Sequence, residues 1–121
     1  MVMGRVLLIG FDPVTIPEWD PAPVLAALAR GHARFEEHGI EVDECLLAME
    51  EIEGAEDVVV RALSAKDYAC VVIGGGIRTH APLLEFFEKL VNLVRVHAPR
   101  AAIAFNSNPE DSADAALRWL R

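Results

Sequence analysis

Positive charge is scarce in this chain. Against 19 Asp and Glu stand 11 Lys and Arg, a net charge of −8 over 121 residues. A protein that grips phosphate backbones needs the opposite balance, so the charge argues against nucleic acid and no such partner is expected. The shortage is sharpest from Glu36 to Asp57, where ten acidic residues occur with no Lys or Arg. Such a segment reads as a solvated acidic edge, or else as a docking surface for a basic partner.

Long hydrophobic runs are also missing. None approaches the ~20 residues that span a bilayer, and no membrane partner is expected. The opening Met1-Val2-Met3-Gly4-Arg5 leads into a short apolar stretch with no signal-peptide cleavage pattern, so the expected location is cytoplasmic. Cysteine occurs twice, at Cys45 and Cys70, each inside an apolar strand-like run. Without a Cys-x-x-Cys spacing, a redox or metal pair is not expected, and the plain reading is two buried thiols acting as small hydrophobes. His32, His38 and His97 are scattered on helices without ligand spacing. No metal site is expected, and no cofactor is indicated.

What remains is ordinary globular material, 53% hydrophobic and 25% charged. The length suits one domain over residues 1–121. A chain of this size buries roughly two-thirds of its unfolded surface, enough for a core without disulfides.

Four strand–helix units follow one another. Arg5-Val6-Leu7-Leu8-Ile9-Gly10 is an apolar run ended by glycine, the mark of a strand buried on both faces. After an aperiodic loop with Pro13 and Pro17, Asp20-Pro21 reads as the cap and first residue of a helix. Val24, Leu25, Leu28 and Phe35 continue on one face of it. Gly39 ends it in the left-handed cap position, with Ile40 as the apolar residue beyond. Val42–Met49 is the second strand, and Glu41, Asp43 and Glu44 suit an edge that must repel other edges. Glu53–Ala65 is the second helix, and Lys66-Asp67-Tyr68 the turn after it. Ala69–Ile73 is the third and most central strand, ended by Gly74-Gly75-Gly76.

The third helix spans about Ala81 to His97, with Leu83, Phe86, Phe87, Leu90 and Val94 on one face. Leu84, Val91 and Leu93 widen the apolar arc, and Glu85 pairs with Lys89 at i,i+4. Ala101–Phe105 is the fourth strand. Asn108, Pro109 and Asp111 form a capping box for the last helix, whose stripe is Ala113, Ala116, Leu117 and Leu120. The expected fold is a three-layer α/β/α sandwich, Rossmann-like or flavodoxin-like, with a four-stranded parallel sheet in the order 2-1-3-4.

For that order, a ligand crevice opens beyond the carboxyl ends of strands 1 and 3. Asp12, Thr15, Arg78, Thr79, His80, Asn106, Ser107 and Asn108 all fall on the loops there. The ligand-binding candidates are Asp12, Gly74, Gly75, Gly76, Arg78, Thr79 and Asn106. Glycines allow close approach of backbone to ligand. The loop feeds a helix start, which favours an anion, and Arg78 adds a fork suited to carboxylate or phosphate. Alternatively the loop is a tight turn with Arg78 paired to Asp12 or another acid. Asp12 and His80 are the catalytic candidates; a structural Asp–Arg pair and a helix cap are the plain readings. Asn108 is explained by capping. The loop from Phe11 to Trp19 exceeds the about two to six residues usual for such connections. Phe11, Ile16 and Trp19 make it either a lid or a loop packed over the sheet end.

Several chemistries are excluded. Gly10-Phe11-Asp12-Pro13 is not a dinucleotide fingerprint, and no P-loop lysine motif exists. A flavodoxin phosphate loop would be rich in Ser and Thr where this one has prolines. Gly74 stands where a receiver domain needs its aspartate, and Cys70 lies too far ahead of Arg78 for a cysteine phosphatase. Val71-Val72-Ile73-Gly74-Gly75 resembles the glycine pair of cobalamin-binding domains, whose Asp-x-His-x-x-Gly loop is missing.

Four segments resemble an uncharacterised family of small bacterial α/β proteins: Leu7–Pro13, Val72–Arg78, Phe87–Asn92 and Ala104–Pro109. That resemblance spans nearly the whole chain and implies the same fold. It supplies no activity. Two function classes remain: a binder of, or modest enzyme for, a small molecule bearing phosphate or carboxylate, and a non-catalytic protein acting through self-association or partner docking. The uncharged strand 4 edge, the wide arc of the third helix and an outward Trp119 point to a homodimer through the strand 4 side, by way of the third or the last helix.

Overall fold

The run Val6–Ile9 is buried along its whole length, and the sheet is assembled around it. It lies in β1 (Arg5–Phe11), which pairs in parallel with β2 (Glu41–Leu47) on one side and β3 (Tyr68–Ile73) on the other. β4 (Ala102–Phe105) pairs in parallel with β3, giving the order β2-β1-β3-β4. The computed structural model describes residues 4–16 and 18–120. Pro17, the second proline of the first loop, lies outside the described residues, as do residues 1–3 and Arg121.

Five helices complete the chain: α1 (Ala22–Glu37), α2 (Ala55–Ala65), α3 (Gly75–Arg78), α4 (Leu84–His97) and α5 (Ser112–Leu117). Side chains alternate across a strand, so one run feeds two cores. Leu7, Ile9, Val71 and Ile73 meet Val59 and Leu63 of α2 and Leu90 and Val94 of α4. Val6, Leu8, Cys70 and Val72 meet Phe35 of α1 and Ala113 and Ala116 of α5. The result is a three-layer α/β/α sandwich, as the alternation of strands and helices predicts. Among the described residues no helix is long and apolar enough to cross a membrane.

The local signals mostly hold. Asp20 accepts from the Ala22 N–H at 3.0 Å, but the cap falls one residue later than expected, at Pro21, whose carbonyl takes the first helical bond; Gly39 closes α1 at φ 67° with the Ile40 N–H bonded to the Phe35 carbonyl at 3.0 Å. The second helix starts later than expected. A 3-10 stretch over Met49–Gly54 precedes α2, because Glu51 leaves helical geometry and Gly54 favours helix poorly. Pro82 likewise confines Ala81–Leu83 to a 3-10 turn before α4. Lys89 does not pair with Glu85; its Nζ reaches Glu56 on α2 at 3.4 Å. Leu25 is 42% exposed, and the inner face of α1 runs instead through Val24, Leu28, Gly31 and Phe35.

The acidic edge is managed by pairing as well as by repulsion. Arg5 bonds Glu41 and Asp43, and Asp43 also accepts from Lys66 at 3.1 Å and from the Tyr68 hydroxyl at 2.9 Å. Burial and the Asp43 carboxylate together push the Tyr68 hydroxyl up to about 12. Burial also pushes the Cys70 thiol up to about 11, as befits an inert core residue.

Gly31 holds α1 against the turn before α5. A Cβ there would lie 2.3 Å from the Pro109 carbonyl oxygen, a backbone atom with little room to yield. Ala would gain roughly 1 kcal/mol in helix propensity. Overpacking against backbone costs about 1–3 kcal/mol and more than offsets it. Gly31→Ala is therefore expected to lower stability, read as a reduced midpoint in chemical denaturation. A raised midpoint would show that α1 can move away freely.

Candidate functional site

At the carboxyl ends of the strands a cavity of about 270 Å³ opens on the α1/α5 side of the sheet. Five segments wall it. The end of β1 and the loop after it contribute Phe11, Pro13, Ile16 and Trp19; α1 contributes Val24 and Leu28; the end of β2 and the turn after it contribute Leu46 and Met49. The Gly74–Ile77 stretch and the Asn106–Pro109 turn close the other side. The position is the switch point, where the chain leaves β1 to one side and β3 to the other.

The lid-like loop is anchored at both ends of its first turn. The Asp12 N–H donates to the Leu47 carbonyl at 2.8 Å, and Thr15 Oγ1 donates to the Asp12 carbonyl at 2.7 Å. Farther along, Glu18 sits at φ 58°, a left-handed conformation uncommon for a side-chain-bearing residue. Trp19 lines the cavity yet is 48% exposed, so it stands at the rim.

The glycine stretch is not an irregular loop. After Gly74 the backbone turns directly into α3, closed by the Thr79 N–H and Thr79 Oγ1, both donating to the Gly75 carbonyl at 2.9 and 2.7 Å. Its glycines serve close packing. A Cβ on Gly74 would stand 3.2 Å from the Ile9 carbonyl oxygen, and one on Gly75 3.3 Å from that of Ser107.

Asn106 ties this turn to the end of β4. Its Oδ1 accepts from the Gly75 N–H at 2.8 Å, and its Nδ2 donates to Ser112 Oγ at 2.8 Å. It is 4% exposed, and a buried amide so paired holds two loops in register. Next to it, Asn108 Oδ1 accepts from the Glu110 N–H at 2.8 Å while Asp111 accepts from the Ser107 and Asn108 N–H groups, the expected capping box. Burial works against the Asp111 carboxylate. The bonds from Ser107 and Asn108, with the charge of Arg118, outweigh it and hold the carboxyl below its ordinary value.

The sequence candidates divide. Gly74, Gly75, Gly76 and Asn106 line the cavity; Asp12, Arg78, Thr79 and His80 do not. Asp12 caps the 3-10 turn Pro13–Thr15, its carboxylate accepting from the Val14 N–H at 3.1 Å, and borders a groove beside α2 on the other face of the sheet. Arg78 Nη2 donates to the Asn106 carbonyl, and the guanidinium lies 5.5 Å from the centre of the Phe105 ring. Phe105 packs edge-on against Phe87 of α4 at 5.7 Å, so Arg78 is drawn to the α4 side. Arg78 makes no ion pair with Asp12. His80 occupies the cap position of the Ala81–Leu83 turn without a side-chain bond, and is exposed. Sequence reasoning missed Val24, Leu28, Leu46 and Met49, whose apolar character marked them as strand or helix-face residues, and Pro109, which it read as the first residue of the last helix.

Fold and site together define a small α/β protein with a parallel sheet and an apolar cavity at its switch point. No family model matches the chain, and no curated protein or solved structure matches it either.

The capping box predicts a pH signature. A carboxyl depressed in the folded state stabilises above its unfolded value and loses that contribution as pH falls through the folded value. Asp111→Ala should cost about 1 kcal/mol near neutrality. The gap to the parent protein should narrow below about pH 4, measured by denaturation across pH. A gap that stays constant into acid would mean that packing, not charge, carries the effect.

Proposed function

We propose that the protein binds a small molecule in the cavity at the carboxyl ends of β1, β3 and β4, and that it acts by binding and not by catalysis. The cavity of about 270 Å³ at the switch point carries this reading. It lies where open parallel sheets hold their ligands, and it is roofed by a long aromatic loop. The polar groups of its lining side chains are those of Asn106, Ser107 and Asn108 and the indole N–H of Trp19 at the rim. None is a general acid or base near neutral pH. The Ser107 hydroxyl donates to Asp111, whose depressed pKa makes it a weak base.

The phosphate or carboxylate expected of the ligand depends on Arg78. Arg78 does not line the cavity, and its Nη2 and its face are engaged by a carbonyl and a ring while its Nε is buried without a partner, so an anion is the weaker part of the reading. Kinship with flavodoxin-like proteins, and with the small bacterial family, belongs to the same proposal; the order 2-1-3-4 supports it. A cytoplasmic location belongs to it too, supported by two buried thiols left unpaired.

A second reading is favoured by a separate observation. At and beside the β4 edge, Phe105 is 39% and Trp119 52% exposed, while β2 carries charge on its edge. Self-association through the β4 side would cover both aromatics.

Two experiments separate these readings. Thermal-shift screening with small uncharged fragments should raise the melting temperature, and filling the cavity with Leu28→Trp should abolish the response while Trp119→Phe leaves it intact. No stabilisation by any fragment would defeat the binding reading. For the second, light scattering at micromolar concentration should give a dimer mass that Phe105→Glu together with Trp119→Glu returns to monomer. A monomer mass that persists on concentration would defeat it.

A further inference from the structure

The walls of the cavity specify a ligand class. We infer that the site takes a compact, uncharged, mainly apolar molecule of up to bicyclic size, and that it discriminates against phosphate. This inference rests on the binding reading above.

Size is the first argument. An apolar cavity of about 150 Å³ is enough for benzene. At about 270 Å³ this cavity has room for one further ring or a branched chain, and lies just under the range typical of metabolite and cofactor sites.

Charge is the second. Among the described residues that line the cavity none is charged. An ionised group moved from water into such surroundings loses its hydration and gains no countercharge, a cost that rises steeply from one charge to two. Arg78, the guanidinium beside the site, is not part of its lining: its Nη2 donates to the Asn106 carbonyl and its face meets the Phe105 ring, while its Nε is buried without a partner. Those two contacts hold Arg78 to the α4 side, while the cavity opens toward α1.

Polar complementarity is the third, and it is sparse. Ser107 Oγ spends its proton on Asp111 and keeps lone pairs for a ligand donor. Asn108 spends its Oδ1 on the Glu110 N–H, and its Nδ2 makes only a long 3.5 Å approach to Ser107 Oγ. A rim with one acceptor, one amide donor and the Trp19 indole N–H suits a hydroxyl or a neutral amide, groups that both give and receive a hydrogen bond.

The test uses three probes with one body and three head groups: benzyl alcohol, benzoate and benzyl phosphate. Methyl resonances of Ile16, Leu28 and Met49 report occupancy in the whole protein at neutral pH, and inorganic phosphate serves as a fourth probe. Benzyl alcohol should shift these methyls with saturation in the millimolar range. Benzoate should bind at least tenfold more weakly, and benzyl phosphate and inorganic phosphate should leave the cavity methyls unmoved. Benzyl phosphate binding at the same methyls as tightly as benzyl alcohol would overturn the ligand class while leaving the binding reading in place. If none of the three aromatic probes moves the methyls, the binding reading itself falls, and the ligand class with it.

Discussion

The burial of β1 and β3 on both faces is the constraint on which the rest depends. Val6–Ile9 and Cys70–Ile73 are sealed from water above and below the sheet. Two such strands side by side cannot tolerate an open face, so each crossover must lay a helix over one side or the other. β1 connects outward through α1 to β2, and β3 connects outward through α4 to β4. The connections therefore part at the carboxyl ends of the central pair. The cavity is the space left by that parting, with the first loop folded over it.

The two edges of the sheet are treated differently. β2 bears acidic side chains, and two of them are tied down: Arg5 spans Glu41 and Asp43, and Tyr68 and Lys66 complete the Asp43 shell. Pairing of half-exposed charges adds little stability. It does keep a charged rim in place without leaving like charges to repel one another. β4 has no such rim. Arg118 reaches the Phe105 carbonyl at 3.0 Å, which occupies one backbone acceptor at its end, and Phe105 itself stays partly in water.

Asn106 and Gly31 show how the α1/α5 side is held in register. Asn106 joins the β3 turn, the β4 turn and Ser112 through one buried amide. Gly31 lets α1 approach the Pro109 backbone, and the Arg30–Glu110 and Arg34–Asp114 pairs flank that approach. The cavity lies between these two devices. Its walls are thus set by backbone positions, while its contents face only apolar groups and neutral polar ones.

The amino-acid sequence by itself determined the strand order, the layering and the capping box at Asn108. Those features follow from local chemistry: apolar runs of strand length, glycine at their ends, and capping residues at fixed offsets. It also placed Asp12, the glycine turn, Arg78 and Asn106 at one end of the sheet. It did not determine which face of the sheet each would occupy. That choice belongs to tertiary packing. The Phe105 ring and the Asn106 carbonyl draw Arg78 toward α4, and the Val14 N–H draws the Asp12 carboxylate back onto its own turn. Val24, Leu28, Leu46 and Met49 read as core because an apolar side chain looks the same in sequence whether it meets a neighbour or a void. Only the spacing of the folded elements decides between the two, since a cavity is made by the distance between helices and strands and not by any one residue.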